Sequence, residues 1–343
     1  MSNLIIVDSP HSALAIAARS RAQFQEAKII YSSNFTSPQA LCFEVSKGDF
    51  NNIFFAWRQS LYEIAKSPKL AKLLTTLRNR SSLGVLIPDY IGITGINKQR
   101  EAELLEFADY YLVTNQELFE IYSNRDDCKN PAGVLHDIPN LQLIQELRGL
   151  TLQRDTRRAI WVGNSKWGRR QGFHDHKGFL QVVKPLEKII EKHNNCFNLQ
   201  VIDSSKLRVP QRKVLELIGE SSYILQTSYS EGTGLPVLEG MALGTIPIST
   251  SVGIVPEVLK GSLSRNIISN SPESFHDALH LNFESPAATP LRIREIFETY
   301  TSEALTESIF NGDKVRHSPG DGFSMIKSIK SQLEWNYRFW KYH

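Results

Sequence analysis

Tyr223-Ile-Leu-Gln-Thr-Ser-Tyr-Ser-Glu231-Gly232-Thr233-Gly234-Leu235-Pro236-Val-Leu-Glu239-Gly-Met-Ala-Leu-Gly244-Thr-Ile-Pro-Ile-Ser249 runs from one apolar β-branched stretch, through a Gly-x-Gly turn, into a helical pattern and out into a second apolar stretch. Strand, turn, helix and strand in that order are the unit of a parallel sheet with helical crossovers. The turn has a chemical meaning as well. The first amides of a helix lack intrahelical partners, and glycines let a ligand approach them closely, so the start of the 235–243 helix reads as a phosphate site. Pro236, in the first turn, gives up only a donor the helix would not have used. Glu231 stands before the turn and Glu239 one turn into the helix, which would let both carboxylates face one pocket.

The same rhythm extends in both directions. Towards the N-terminus, strands are expected at 4–7, 28–31, 52–55, 83–87, 110–113 and 133–135, with helices at 13–24, 100–107 and 116–122 among the intervening helical patterns. A polar stretch near 138–157 separates this half from a strong strand at 159–162. The second half continues with helix 178–192, strand 199–202, helix 211–218, strand 223–226, helix 235–243 and strand 245–249, followed by helices and loops from residue 272. The fold class predicted is α/β, two Rossmann-like, doubly wound parallel-sheet domains, and 343 residues suit two domains.

Composition excludes several alternatives. With 41% hydrophobic and 22% charged residues the chain can build packed cores, and a net charge of +3 offers no nucleic-acid footprint. The three cysteines, Cys42, Cys128 and Cys196, lie far apart with no C-x-x-C spacing, which argues against a disulfide framework or a zinc knuckle and for a cytoplasmic setting. The opening Met1-Ser-Asn-Leu-Ile-Ile-Val-Asp8 has no basic region and only four apolar residues before a carboxylate, so it reads as a buried strand and not as a leader. Eighteen consecutive apolar residues occur nowhere, so no membrane span is expected. Asn34-Phe-Thr and Asn79-Arg-Ser match the glycosylation pattern by chance.

The 231–259 stretch resembles the signature of the family 4 retaining glycosyltransferases: Glu-Gly-Phe-Gly-Leu-Pro-x-x-Glu-x-Met-Ala-x-Gly, followed by Gly-x-x-Pro-Glu-x-Val, here Gly253 to Leu259. The spacing of Glu231 and Glu239 is that family's, and Thr233 replaces its usual phenylalanine at a position where the backbone should matter more than the side chain. The resemblance implies a GT-B architecture, two sheets facing across a cleft: residues 1–145 as acceptor domain, 158–320 as nucleotide-sugar donor domain, and 321–343 as a helix crossing back to the first. It further implies that Glu231 contacts hydroxyls of the donor sugar, that Glu239 accepts from the nucleotide ribose, and that the amides of Thr233, Gly234 and Leu235, with Gly232, hold the diphosphate.

Upstream, Trp161-Val-Gly163-Asn164-Ser-Lys166-Trp-Gly-Arg169-Arg170 and the later His174-Asp-His176-Lys177-Gly178 resemble the family's strand, Gly-Arg turn and Lys-Gly helix start. Gly163 and Asn164 then border the donor, and Lys177 neutralises the departing diphosphate. Asn164 occupies the place of the family's arginine, which leaves Lys166, Arg169 and Arg170 as alternative sources of a second positive charge. His174 and His176 read as surface residues of a polar loop and not as a metal site. In the first half the likeness is looser: Pro88 stands where the family has histidine, and Asp89 either borders the cleft or caps a strand end. Asp126-Asp127 reads as a turn.

The reaction so implied transfers a sugar from a nucleoside diphosphate to an acceptor hydroxyl of a glycan, lipid-linked or small-molecule acceptor, with retention, without a metal or other cofactor, in a role such as cell-surface glycan synthesis. Two competing readings are a catalytically silent nucleotide-sugar-binding subunit, suggested by the missing arginine and histidine, and a sugar-nucleotide epimerase, for which the extra acid and base groups are not found. The aromatic, basic stretch 335–343 suits either packing on the first domain, which is favoured, or a peripheral contact with the inner face of a membrane.

Overall fold

The computed structural model describes residues 2–10, 12–89, 98–150, 152–169, 172–192 and 197–310. In the first half the chain forms Ser2–Val7 (β1), Ala13–Phe24 (α1), Ala27–Tyr31 (β2), Pro38–Lys47 (α2), Phe50–Phe55 (β3), Arg58–Ala65 (α3), Pro68–Arg78 (α4), Ser82–Ile87 (β4), Lys98–Phe107 (α5), Tyr110–Val113 (β5), Gln116–Ser123 (α6), Gly133–Val134 (β6) and Leu141–Arg148 (α7). The second half forms Asp155–Gly163 (β7), Lys184–Lys192 (α8), Asn198–Asp203 (β8), Gln211–Gly219 (α9), Ser221–Gln226 (β9), Leu235–Leu243 (α10), Ile246–Ser249 (β10), Val255–Val258 (α11), Pro272–Glu284 (α12) and Pro290–Thr306 (α13). Helix starts follow the local chemistry: the side chains of Ser12, Ser37, Asn115, Ser271 and Thr289 each accept an amide of the first turn, and proline follows directly in α2, α12 and α13.

Both sheets are parallel. The first has the order β2-β1-β3-β4-β5-β6 and the second β10-β9-β7-β8. Residues of β5, β9 and β10 are buried throughout, as expected of strands covered by helices on both faces. In each sheet the strand order reverses beside its first strand, between β1 and β3 and between β7 and β9. Ligands of open α/β sheets bind in the crevice at such reversals, at the carboxyl ends of the strands. The two-domain α/β architecture expected from the sequence is the one observed.

Two details depart from the expected elements, and a third adds contacts ahead of the expected crossing helix. Residues 141–148, within the stretch read as polar connection, form α7, capped by Asn140; Ile144 and Leu147 pack in the second core, so the chain leaves the first core before that helix. The helix expected from 178 opens with a π turn, Phe179–Val183, in which Asp175 Oδ2 accepts the amides of Leu180 and Gln181, both at 2.8 Å. The return to the first domain occurs earlier than the tail: Arg21 of α1 donates to Ala304 O at 3.0 Å, Tyr110 Oη to Ile309 O at 2.7 Å, and Ile309 is buried among Ile5, Val7 and Phe54. The crossing helix expected at 321–343 lies outside the described residues.

Candidate functional site

Between the two sheets lies a cleft of about 870 Å³. Its first wall is made by strand ends of the first domain: Asp8 after β1, Trp57 and Gln59 after β3, Pro88 and Asp89 after β4, Asp137 after β6. Its second wall is made by Trp161 to Asn164 at the end of β7, Ile202 and Ser204 at β8, Gln226 and Ser228 at β9, and the run Ser230 to Pro236 that leads into α10. Each wall thus stands at the strand-order reversal of its own sheet.

Glu231 and Lys177 meet at the centre. Lys177 Nζ donates to Glu231 Oε1, which also accepts from Ser228 Oγ at 2.6 Å and Gln226 Nε2 at 2.8 Å. The carboxylate is largely buried; burial alone would raise its pKa, but the Lys177 ammonium and these donors outweigh burial and hold it below the usual range. Lys177 also lies 5.2 Å from the Trp167 ring centroid. The same turn brings His176 against Trp167, centroids 4.6 Å apart, with only 6% of its surface exposed. The expectation that both histidines lie on the surface therefore holds for His174 and fails for His176, because Trp167 and Phe173 fold over it. Burial and the adjacent Lys177 charge lower the pKa of His176, favouring the neutral ring.

The glycine turn has two separate reasons for glycine. Gly234 has φ +84°, a left-handed conformation that side chains disfavour, and serves as the N-cap of α10. At Gly232 the reason is long-range: a Cβ there would lie 1.6 Å from the carbonyl oxygen of Pro88 across the cleft. Asn115 Nδ2 donates to Gly232 O, and Thr233 Oγ1 donates to Asp137 Oδ2 at 2.6 Å. The Thr233 side chain, given little weight in the sequence, is therefore a direct tie between the domains. Burial raises the pKa of Asp137, although Thr233 donates to it.

Glu239 is placed differently from Glu231. It is 7% exposed and is not among the described residues lining the cleft; its contact is Gln211 Nε2 at 3.4 Å. Burial raises its carboxyl to about 7. The expectation that both glutamates face one open pocket is met by Glu231 only, because the helix turns Glu239 inward towards α9.

The remaining sequence candidates separate by position. Gly163 and Asn164 line the cleft; Asn164 Oδ1 accepts the amide of Lys166 at 3.0 Å, so it shapes the turn. Lys166 lines the cleft and is exposed, whereas Arg169 is exposed but not among the lining residues, and Arg170 lies outside the described residues. Asp89 lines the cleft and binds the fully buried Arg58, Oδ1 to Nη2 at 2.7 Å. Arg58 pairs in turn with Glu101 at 3.1 Å, and Glu101 with Arg125 at 2.6 Å. Burial raises the Asp89 carboxyl despite that arginine.

Asp8, Trp57, Gln59, Asp137, Gln226 and Ser228 were not singled out from the sequence. A usable signal existed for Asp8 and Gln226, since each closes or directly follows a strand, where α/β sheets bind their ligands.

Two facing parallel-sheet domains with a cleft at both switch points define the GT-B class of protein, as the resemblance implied. Solved structures carry the same fold: a sucrose-phosphate synthase from Thermosynechococcus elongatus matches with TM-score 0.60 at 13% identity, covering 97% of this chain and 100% of that one. HepE from Anabaena, solved with UDP, matches with TM-score 0.55 at 14% identity over 97% of this chain and 100% of that one. Within that class, residues 175–299 match the family described as glycosyl transferases group 1. ORF330 of Acidianus filamentous virus 2, a glycosyltransferase by name, is 32% identical over 107 residues, 25% of this chain and 32% of that protein. The match thus spans about a third of the length of that curated relative.

Proposed function

We propose that the protein is a retaining glycosyltransferase that moves a sugar from a nucleoside diphosphate to an acceptor hydroxyl and needs no metal ion. The observation that supports this reading is the partly buried Lys177–Glu231 pair, which lines the same cleft as the start of α10, so that a helix N-terminus, a cation and a carboxylate converge there. The diphosphate lies against the amides of Thr233, Gly234 and Leu235, and Lys177 turns from Glu231 towards it. Lys166 adds a second positive charge from the rim. Glu231, released from Lys177 but still held by Gln226 and Ser228, accepts from hydroxyls of the donor sugar. Glu239 accepts from the ribose once its side chain leaves Gln211 for the cleft, for which it must be ionised.

In this scheme the acceptor enters along the first-domain wall and attacks from the face the leaving group departs. The leaving phosphate takes the acceptor proton, while the fixed amides and Lys177 stabilise the charge that develops on it; the protein's contribution is positioning and preorganised electrostatics. We place the activity in glycan assembly, on the cytoplasmic side. UDP-sugars are the first donors to try, since HepE, a protein of this fold, has been solved with UDP and with UDP-glucose.

The test is incubation with UDP-, GDP- and ADP-sugars in the presence of EDTA, with release of nucleoside diphosphate and the anomeric configuration of any product read by NMR. Turnover that survives chelation and retains configuration supports the proposal. Turnover restored only by magnesium or manganese overturns the metal-free account. Tight nucleotide binding with no turnover in any combination supports the silent-subunit reading, and an altered sugar supports an epimerase.

A further inference from the structure

A second cavity, of about 310 Å³, lies at the opposite end of α10 from the cleft, and Arg148, Arg154 and Arg294 line it. The donor chemistry makes no use of it. All three guanidinium groups reach the end of the helix: Arg148 Nε donates to Ala242 O at 2.7 Å, Arg154 Nη2 to Leu243 O at 2.7 Å, and Arg294 Nη2 to Leu243 O at 3.2 Å. Arg154 Nη1 donates to Gly244 O as well. Capping explains part of this, because the last carbonyls of a helix lack intrahelical partners and its C-terminus attracts cations.

Capping does not explain the surplus. Arg148 Nη2 and Arg294 Nε are buried without a hydrogen-bond partner. A buried charged donor left unpaired is destabilising, so native interiors seldom keep one. The charge is equally unbalanced. Among the described residues these three arginines form one ion pair, Arg148 with the exposed Glu298 at 2.8 Å. Burial first, and then the charge of Arg294, lower Arg154 to about 10.

We propose that this cavity is a binding site for a phosphate group, as inorganic phosphate or as the head of a phosphate monoester. A tetrahedral dianion can accept from several guanidinium forks at once and would balance the excess charge of the three arginines that line the cavity. Space favours more than a bare ion: at roughly 30 Å³ per water molecule, the cavity has the volume of about ten waters.

The test is titration calorimetry of the full chain at low ionic strength with inorganic phosphate and, separately, with glucose 6-phosphate. Because the donor cleft also offers phosphate a helix start and Lys177, every titration is repeated in Lys177→Ala. Binding is expected to persist in Lys177→Ala and to weaken about tenfold or more in Arg148→Gln and in Arg294→Gln, the loss expected for a hydrogen bond to a charged group. Tighter binding of the monoester assigns the cavity to an organic phosphate; equal binding assigns it to the free ion. Should either glutamine variant fail to fold, Arg294→Lys keeps the charge but loses the fork, and is expected to weaken phosphate several-fold. The proposal is overturned if Lys177→Ala abolishes all binding, if the arginine variants bind like the parent, or if nothing binds up to about 10 mM; the arginines then serve only as a helix cap.

Discussion

The two walls of the cleft are built on different principles. The second-domain wall draws its central groups from one short run, Gln226 to Leu235, with Lys177 the main contribution from elsewhere, and that run is a strand end, a glycine turn and a helix start. The first-domain wall gathers Asp8, Trp57, Asp89 and Asp137 from four separate strand ends. The contrast in charge is as clear. Among the described residues the first wall presents Asp8, Asp89, Asp137 and Trp57 but no lysine or arginine, while the second presents Lys166 and Lys177 beside Glu231, Trp161 and Trp167. A wall with cations and free helix amides suits an anionic diphosphate; the first wall, without a cation, does not.

The largest effect that would break this division of labour is at Glu231. Glu231→Gln is expected to lower kcat by roughly 10²–10³-fold, the size seen when a preorganised transition-state contact is removed, while leaving the affinity for free nucleoside diphosphate intact. Steady-state kinetics and calorimetry check both. Weakened nucleotide binding with normal turnover would mean that the second wall has been read in the wrong order.

The joint between the walls is the next target. His136 Nε2 lies 2.9 Å from Glu257 Oε2, its Nδ1 pairs with Glu307, and Arg21 bonds Glu307 at 3.1 Å. Burial would lower the histidine pKa, but the two carboxylates overcome it and raise it from 6.5 to about 9. The sign follows: the stabilisation is complete below the unfolded value near 6.5 and is lost as pH rises through about 9. A shift of that size amounts to about 3 kcal/mol. His136→Ala should therefore lower Tm markedly near pH 6 and little near pH 10; an equal loss at both would assign the histidine a packing role only.

Glu239→Gln sharpens the contrast within the second wall. Losing a charged hydrogen bond to the ribose is expected to weaken free nucleoside diphosphate by roughly 1.5–3 kcal/mol with kcat nearly unchanged. In the parent protein, nucleotide affinity should rise with pH through about 7, as the carboxyl ionises. Its folded pKa is raised, so neutral Glu239 costs nothing at low pH and the carboxylate becomes a burden as pH climbs from 4.5 through about 7. Glu239→Gln should accordingly melt higher than the parent near pH 8. A flat pH profile in both measurements would remove Glu239 from the site.

Trp57→Ala probes the first wall alone. The expected result is an acceptor KM raised by roughly tenfold, about the worth of one large apolar side chain buried by a ligand, with nucleotide affinity unchanged; a parallel loss of nucleotide binding would erase the distinction between the walls. Thr233→Val carries the smallest expected effect, about 1 kcal/mol of stability from the lost bond to Asp137, readable as a lower denaturation midpoint. No change would show that the domains do not depend on this tie.

Most strands were legible because parallel strands buried on both faces are continuous apolar runs, as at 110–113 and 223–225. Helix α7 was not, since its eight residues divide evenly between apolar and polar and only Ile144 and Leu147 are fully buried. His176 was misplaced for a related reason: a polar loop sequence does not reveal that Trp167 closes over it.

What the amino-acid order determined by itself is whatever a few consecutive residues can express. A strand, two glycines, a leucine and a proline define the turn, and the turn defines a helix start with free amides before any other part of the chain is placed. The tertiary structure decided everything that depends on partners distant in sequence. It set Lys177 on Glu231, pressed Pro88 against Gly232, joined Thr233 to Asp137 and turned Glu239 towards Gln211. These contacts carry no local signature, because each exists only once both sheets have folded and the packing of one domain on the other has selected which side chains meet.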